Sequence, residues 1–144
     1  MRLTARQRYD QYRLSILEQA CYEAPLGIWE PYWWANTVLI DLAVEERIRW
    51  AERAMRELLE GGLVQFYRGG WVSGDPSSPL AADAAVAAIR GDAWRHLPLE
   101  EAEVWFEATE RGDQRMAAAV ESREWVGEEA VAPGWVGDRT GSCS

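Results

Sequence analysis

The sequence predicts a mainly α-helical α+β fold with a small β-hairpin or sheet, and three observations lead there. Apolar residues recur at three- and four-residue steps through much of the first 60 residues, the period of helices that bury one face. Strand-forming runs are few and short, Leu63–Tyr67 and the alternating Glu103–Thr109, which limits any sheet to a small one. The chain has 144 residues, 48% hydrophobic and 27% charged, enough apolar material for one compact domain. That domain is expected over residues 1–126, with residues 127–144, rich in glycine and acids and poor in core formers, as a flexible tail.

The elements follow in order. Tyr9, Tyr12, Ile16, Leu17, Ala20 and Cys21 mark one face of a helix from Arg6 to Glu23, which Pro25 and Gly27 end. Pro31 occupies a first-turn position, where its missing N–H costs nothing, so a second helix of about two turns covers the tryptophan-rich segment Gly27–Thr37. Asp41 reads as the N-cap of a third helix with Glu45 and Glu46 in its first turn. Val44, Ile48, Ala51, Met55, Leu58 and Leu59 form its buried stripe, and Gly61-Gly62 stops it. A strand follows at Leu63–Tyr67, then a turn at Arg68-Gly-Gly70 and a returning strand at Trp71-Val72. Ser78 followed by Pro79 reads as an N-cap with an N1 proline, opening a fourth helix that runs to Arg90 and ends at Gly91. In the strand Glu103–Thr109, Val104, Phe106 and Ala108 face one side and Trp105 and Glu107 the other. Thr109 caps a last helix to about Trp125, weakened by Gly112 in its first turn.

Charge is unevenly spread. The net charge is −9, from 15 arginines, no lysine and 24 acids; residues 1–56 are balanced and the remainder carries the whole excess. Such a body repels polyanions. Arg2, Arg6 and Arg8 are not followed by the apolar core of a signal peptide, and no apolar run nears the roughly 20 residues of a membrane span, so the reading is cytoplasmic, without a membrane partner. Cys21 and Cys143 are expected as reduced thiols. With His96 the one histidine, no ligand set for a metal is expected, and no cofactor. Catalysis is not expected either: His96 stands in a linker-like stretch, Glu100, Glu101 and Glu103 read as solvated loop acids, and no nucleophile elbow or phosphate loop occurs.

Three helices, the exit Gly61-Gly62-Leu63-Val64, a long excursion and the re-entry Val104-Trp-Phe-Glu-Ala-Thr109-Glu-Arg-Gly112 together resemble the winged helix-turn-helix superfamily over residues 6–122. The likeness lies in the order of elements and points to no single family. It implies a wing between the two strands, here enlarged by a helix of its own, and places residues 41–61 where a recognition helix stands. Arg47, Arg49, Arg53 and Arg56 on that helix, with Arg68 in the wing, would then contact nucleic acid, and a homodimer would follow the superfamily's habit. Against DNA stand Glu45, Glu46, Glu52, Glu57 and Glu60 on the same helix, in spacings typical of a solvated salt-bridged face.

Nine tryptophans are heavy usage for this length. Trp29, Tyr32 and Trp33 lie within one turn and are expected to share a face packed on the first and third helices, with Trp34 pointing elsewhere. Tryptophan and arginine are enriched at interface hot spots. The favoured reading is a non-catalytic module that acts through protein contacts, its partner unknown, with Trp29, Trp33, Trp34 and Trp71 as the protein-binding residues. A DNA-binding regulator is the alternative. The repeated strings Trp125-Val-Gly127 and Trp135-Val-Gly137 read as part of the tail.

Overall fold

The computed structural model describes residues 2–69, 78–89 and 104–137. Within them the architecture is mixed α+β, five α-helices around a four-stranded antiparallel sheet. The order is α1 (Ala5–Tyr22), β1 (Leu26–Gly27), α2 (Glu30–Val38), α3 (Val44–Glu60), β2 (Val64–Arg68), β3 (Ser78–Pro79), α4 (Ala82–Ala88), β4 (Val104–Ala108) and α5 (Glu110–Glu121). A 3-10 turn, Glu128–Val131, follows.

Helix α1 starts where its cap chemistry dictates. The Thr4 hydroxyl accepts from the Gln7 N–H, and the Gln7 side chain accepts from the Thr4 N–H, a closed capping box. The helix is buried on more than one face, with Gln11, Leu14 and Ser15 inside as well as Tyr12, Ile16 and Leu17. It packs against α3, α5, β4 and the 3-10 turn, so it is the central element rather than a surface helix. Its two buried polar residues are hydrogen-bonded: the Gln11 amide donates to the Glu124 carbonyl and accepts from the Val126 N–H, and the Ser15 hydroxyl donates to the Tyr12 carbonyl.

The sheet runs β1-β4-β2-β3. Strands β2 and β4 pair along their full length, and Phe66 stacks on its register partner Phe106 at 5.3 Å in the core. On the other face Tyr67 stacks on Trp105 at 4.5 Å, and the Trp105 indole donates to the Gly69 carbonyl. Trp105 is thus buried although it faces away from Phe106.

Glycine placement explains the end of the β2–β4 pair where Val64 faces Ala108. Gly62 sits at φ +72°, its N–H donating to the Leu59 carbonyl while the Leu63 N–H reaches the Leu58 carbonyl, which closes α3 with a Schellman motif. Gly112 lies against this exit: a Cβ there would come within 2.0 Å of the Leu63 carbonyl oxygen. Thr109 stitches the same junction, donating from its hydroxyl to the Gly62 carbonyl and from its N–H to the Leu63 carbonyl, and capping Gly112. The glycine that weakens α5 by propensity is therefore required by packing.

Four expectations are corrected. Asp41 does not cap α3; the N-cap is Ala43, with no side-chain bond, and the Asp41 carboxylate instead takes a bidentate pair from Arg8 at 2.7 Å. Ser78 and Pro79 do not open a helix but pair with Arg68 and Tyr67 on the outer edge of the sheet, a place where a proline's missing donor is tolerated. The inserted helix begins later, at Ala82, and buries Ala85. Finally, residues 127–137 are not a loose tail: Val131 is fully buried, its carbonyl accepts from Arg8 at 2.7 Å, and Val136 bridges to Arg2. Trp71-Val72, the Arg90-Gly91 helix end, His96, the Glu100, Glu101 and Glu103 cluster and Cys143 lie outside the described residues.

Candidate protein-contact groove

The segment entering α2 is built around one glycine. Trp29 lays its indole against Gly27, where a Cβ would stand 2.2 Å from the ring, and the Gly27 N–H donates to the Glu30 carboxylate at 2.6 Å. Pro31 then starts the helix without wasting a donor. Because Trp29 precedes the first helical turn, the helical stripe is set by Tyr32, Ala35 and Val38, all buried. The Tyr12 hydroxyl donates to the Pro31 carbonyl at 2.7 Å and ties this stripe to α1.

The four tryptophans named from the sequence separate. Trp29 is core, 3% exposed. Trp33, one position past Tyr32, turns outward and is 40% exposed, touching Trp29 edge to face at 6.3 Å. Trp34 packs inward, half-buried, its indole donating to Ser15 at 2.8 Å. Trp33 and Trp34 thus exchange the roles expected of them, since the helix register places Trp34 over α1. Trp71 is outside the described residues.

The arginines of α3 separate as well. Arg47 is committed to backbone: its guanidinium donates to the carbonyls of Leu39, Leu42 and Ile40, bracing the turn between α2 and α3. Arg53 lies 4.2 Å over the Tyr9 ring and donates to Glu57. Arg49 stands 3.6 Å from Glu46 on the surface, and Arg56 is exposed. Arg68 ends β2 opposite Ser78, its side chain exposed.

Between α2 and α3 opens a mostly apolar groove of about 220 Å³, lined by Tyr32 and Asn36 from α2 and by Val44, Arg47 and Ile48 from α3. Val44 is 52% exposed although it falls on the helix's apolar period. It heads α3 ahead of the residues that form the inter-helix core, Ala51, Ala54, Met55 and Leu58. Sequence reasoning assigned Val44 and Ile48 to the core and did not single out Asn36; the signal available was that Val44 and Ile48 make the stripe longer than α2 can cover.

On the far side of α3 lies an ionic cluster. Glu57 accepts from the Tyr9 hydroxyl at 2.7 Å, from Arg13 at 2.6 Å and from Arg53 at 3.1 Å. Burial works against ionisation of this carboxyl, but the three hydrogen bonds outweigh it and hold the group down to about 2. The same burial, with Glu57 alongside, raises the Tyr9 hydroxyl. Elsewhere, burial and then Asp113 push the Cys21 thiol up to about 12. Among the described residues no group of His, Cys, Asp and Glu could hold a metal ion, and no helix is long and apolar enough to cross a membrane. Comparison with family models, with curated proteins and with solved structures finds no match.

Proposed function

We propose that the protein is a non-catalytic, winged-helix-like module that acts through protein contacts, with the α2–α3 groove and the neighbouring Trp33 as its docking surface. The observation that carries the reading is the groove itself: a concave, mostly apolar site whose Val44 wall is open to solvent on a molecule of net charge −9. Apolar and aromatic anchors seated in such pockets dominate interface energetics. The winged-helix-like part rests on the order of elements, three helices, a strand leaving the third, an excursion with its own helix, then a returning strand and helix, with β4 beside β2. The alternative use of α3 on DNA has less support. Arg47 is spent on backbone carbonyls, and the helix carries five glutamates against four arginines, while counterion release requires a net surplus of cations along the contact.

The test is Val44→Asp, a change at an exposed position that leaves the core untouched. Cross-linking capture with wild type and variant is compared by quantitative mass spectrometry, beside titration with mixed-sequence duplex DNA at two salt concentrations. Loss of a captured protein in the variant at unchanged melting temperature is the expected result. Salt-sensitive, micromolar DNA binding that Arg53→Glu abolishes and Val44→Asp spares would replace this reading with the nucleic-acid one.

A further inference from the structure

The ionic cluster on the α1–α3 face has an open end. Its members alternate in sign: Arg6 stands 3.3 Å from Asp10, Asp10 is 3.4 Å from Arg13, Arg13 is 2.6 Å from Glu57, and Glu57 is 3.1 Å from Arg53. Three guanidiniums share two carboxylates, so the chain begins and ends on a cation and carries one positive charge in excess. All three guanidiniums also gather at one buried ring. Those of Arg6, Arg13 and Arg53 lie 5.9, 5.6 and 4.2 Å from the Tyr9 centroid. The terminal two are therefore at most about 10 Å apart. Both meet their carboxylates through Nε, and their Nη nitrogens make no hydrogen bond among the described residues; the two side chains are 62% and 49% accessible.

We infer that this cluster is a binding site for a phosphate-type oxyanion that bridges Arg6 and Arg53 and closes the ring of alternating charges. Four observations carry it. The terminal forks are the donors best suited to bidentate recognition of oxyanions. They are held near Tyr9 by ring contacts, and in the case of Arg53 by Glu57 as well, so part of their ordering is done before the ligand arrives. A tetrahedral phosphate presents enough terminal oxygens for two forks approaching from different helices, whereas a carboxylate saturates one. Finally, the next pair on α3, Arg49 with Glu46, is already matched one to one and offers no such opening. The inference does not depend on the groove, which lies on the other flank of α3.

The test is titration of the intact protein with inorganic phosphate and with a phosphoserine peptide, each at constant ionic strength, read by NMR at the arginine Nε and Tyr9 signals and by calorimetry. Arg6→Gln and Arg53→Gln are each expected to weaken phosphate binding roughly tenfold, as loss of a charge-assisted pair does, and Arg49→Gln to leave it unchanged. Tighter binding of the peptide assigns the site to a modified side chain of a partner, and equal binding assigns it to free phosphate. The inference is overturned if phosphate acts no differently from chloride, if acetate competes equally at equal concentration, or if Arg49→Gln costs as much as the other two. Because Arg6 is largely exposed, its variant keeps the test valid should Arg53→Gln disturb the α1–α3 packing.

Discussion

Gly112→Ala sets two physical effects against each other, and the structure decides which wins. In a helix interior the change ordinarily stabilises by about 1 kcal/mol. Here the added Cβ would stand 2.0 Å from the Leu63 carbonyl oxygen, 3.0 Å from the carbon behind it and 3.3 Å from the Ala108 Cβ. That oxygen cannot simply retreat, because it accepts the Thr109 N–H at 3.0 Å, and the adjacent Gly62 carbonyl takes the Thr109 hydroxyl at 2.7 Å. Relief requires the first turn of α5 to move off the start of β2 by an ångström or so. Overpacking of this kind costs about 1 to 3 kcal/mol, and weakening the two Thr109 bonds adds about 1 kcal/mol more. Net destabilisation of about 2 kcal/mol is expected after the propensity gain. Urea unfolding measures it as a lower midpoint at unchanged m-value, and Ala117→Gly, at an exposed position of the same helix, calibrates propensity alone at about 1 kcal/mol. A Gly112→Ala protein as stable as wild type would refute the close approach of α5 to the α3 exit.

Further outcomes follow from the same contacts. Glu57, held down to about 2, contributes stability that is complete above its unfolded value near 4.5 and fades as pH falls toward 2. With its side chain 33% exposed, the screened contribution is about 1 to 2 kcal/mol; the stability difference between wild type and Glu57→Gln, measured by urea unfolding, should shrink across that window, and a pH-independent difference counts against the network. Val131→Ala should cost about 2 kcal/mol, because the side chain is fully buried beside α1; an unchanged melting temperature would mean that the segment after α5 is loose after all. Cys21, with its thiol at about 12, should alkylate on the order of a thousandfold more slowly at pH 8 than an unperturbed cysteine, followed by mass spectrometry of its own peptide, and labelling at the ordinary rate would contradict its burial against Asp113 and Gly112.

What could be read from the sequence was whatever local chemistry decides. The first-turn Pro31 of α2, the stop of α3 at Gly61-Gly62 and the Thr109 cap of α5 each depend on a few adjacent residues, and each is present. What could not be read depends on a neighbour far along the chain. Asp41 has the composition of an N-cap, but Arg8, 33 residues away, offers it two charge-assisted bonds where an N-cap would have neutral N–H donors. Ser78-Pro79 has the composition of a helix start, but the exposed end of β2 captures it. The tail reading failed for a related reason: Ala130 and Val131 are too few to signal a core segment by periodicity, yet α1 lacks a cover on that side without them.

The candidate site shows the same division more sharply. Aromatic richness directed attention to residues 29–34, and the groove does lie beside them. Which tryptophan turns outward, however, was decided by the single residue at which α2 begins. Starting the helix at Glu30 puts Tyr32, Ala35 and Val38 inside, so Trp33 falls outside and Trp34 onto α1; a start one residue earlier or later would have rotated the set by about 100°. The arginines of α3 carry the same lesson about charge. Four cations on one helix suggest a reading head by count. Once the turn carbonyls occupy Arg47, the positive charge left over is set by pairing between helices, and the surplus of the α1–α3 cluster appears beside Tyr9, where the basic stretch of residues 2–13 meets Arg53 of α3.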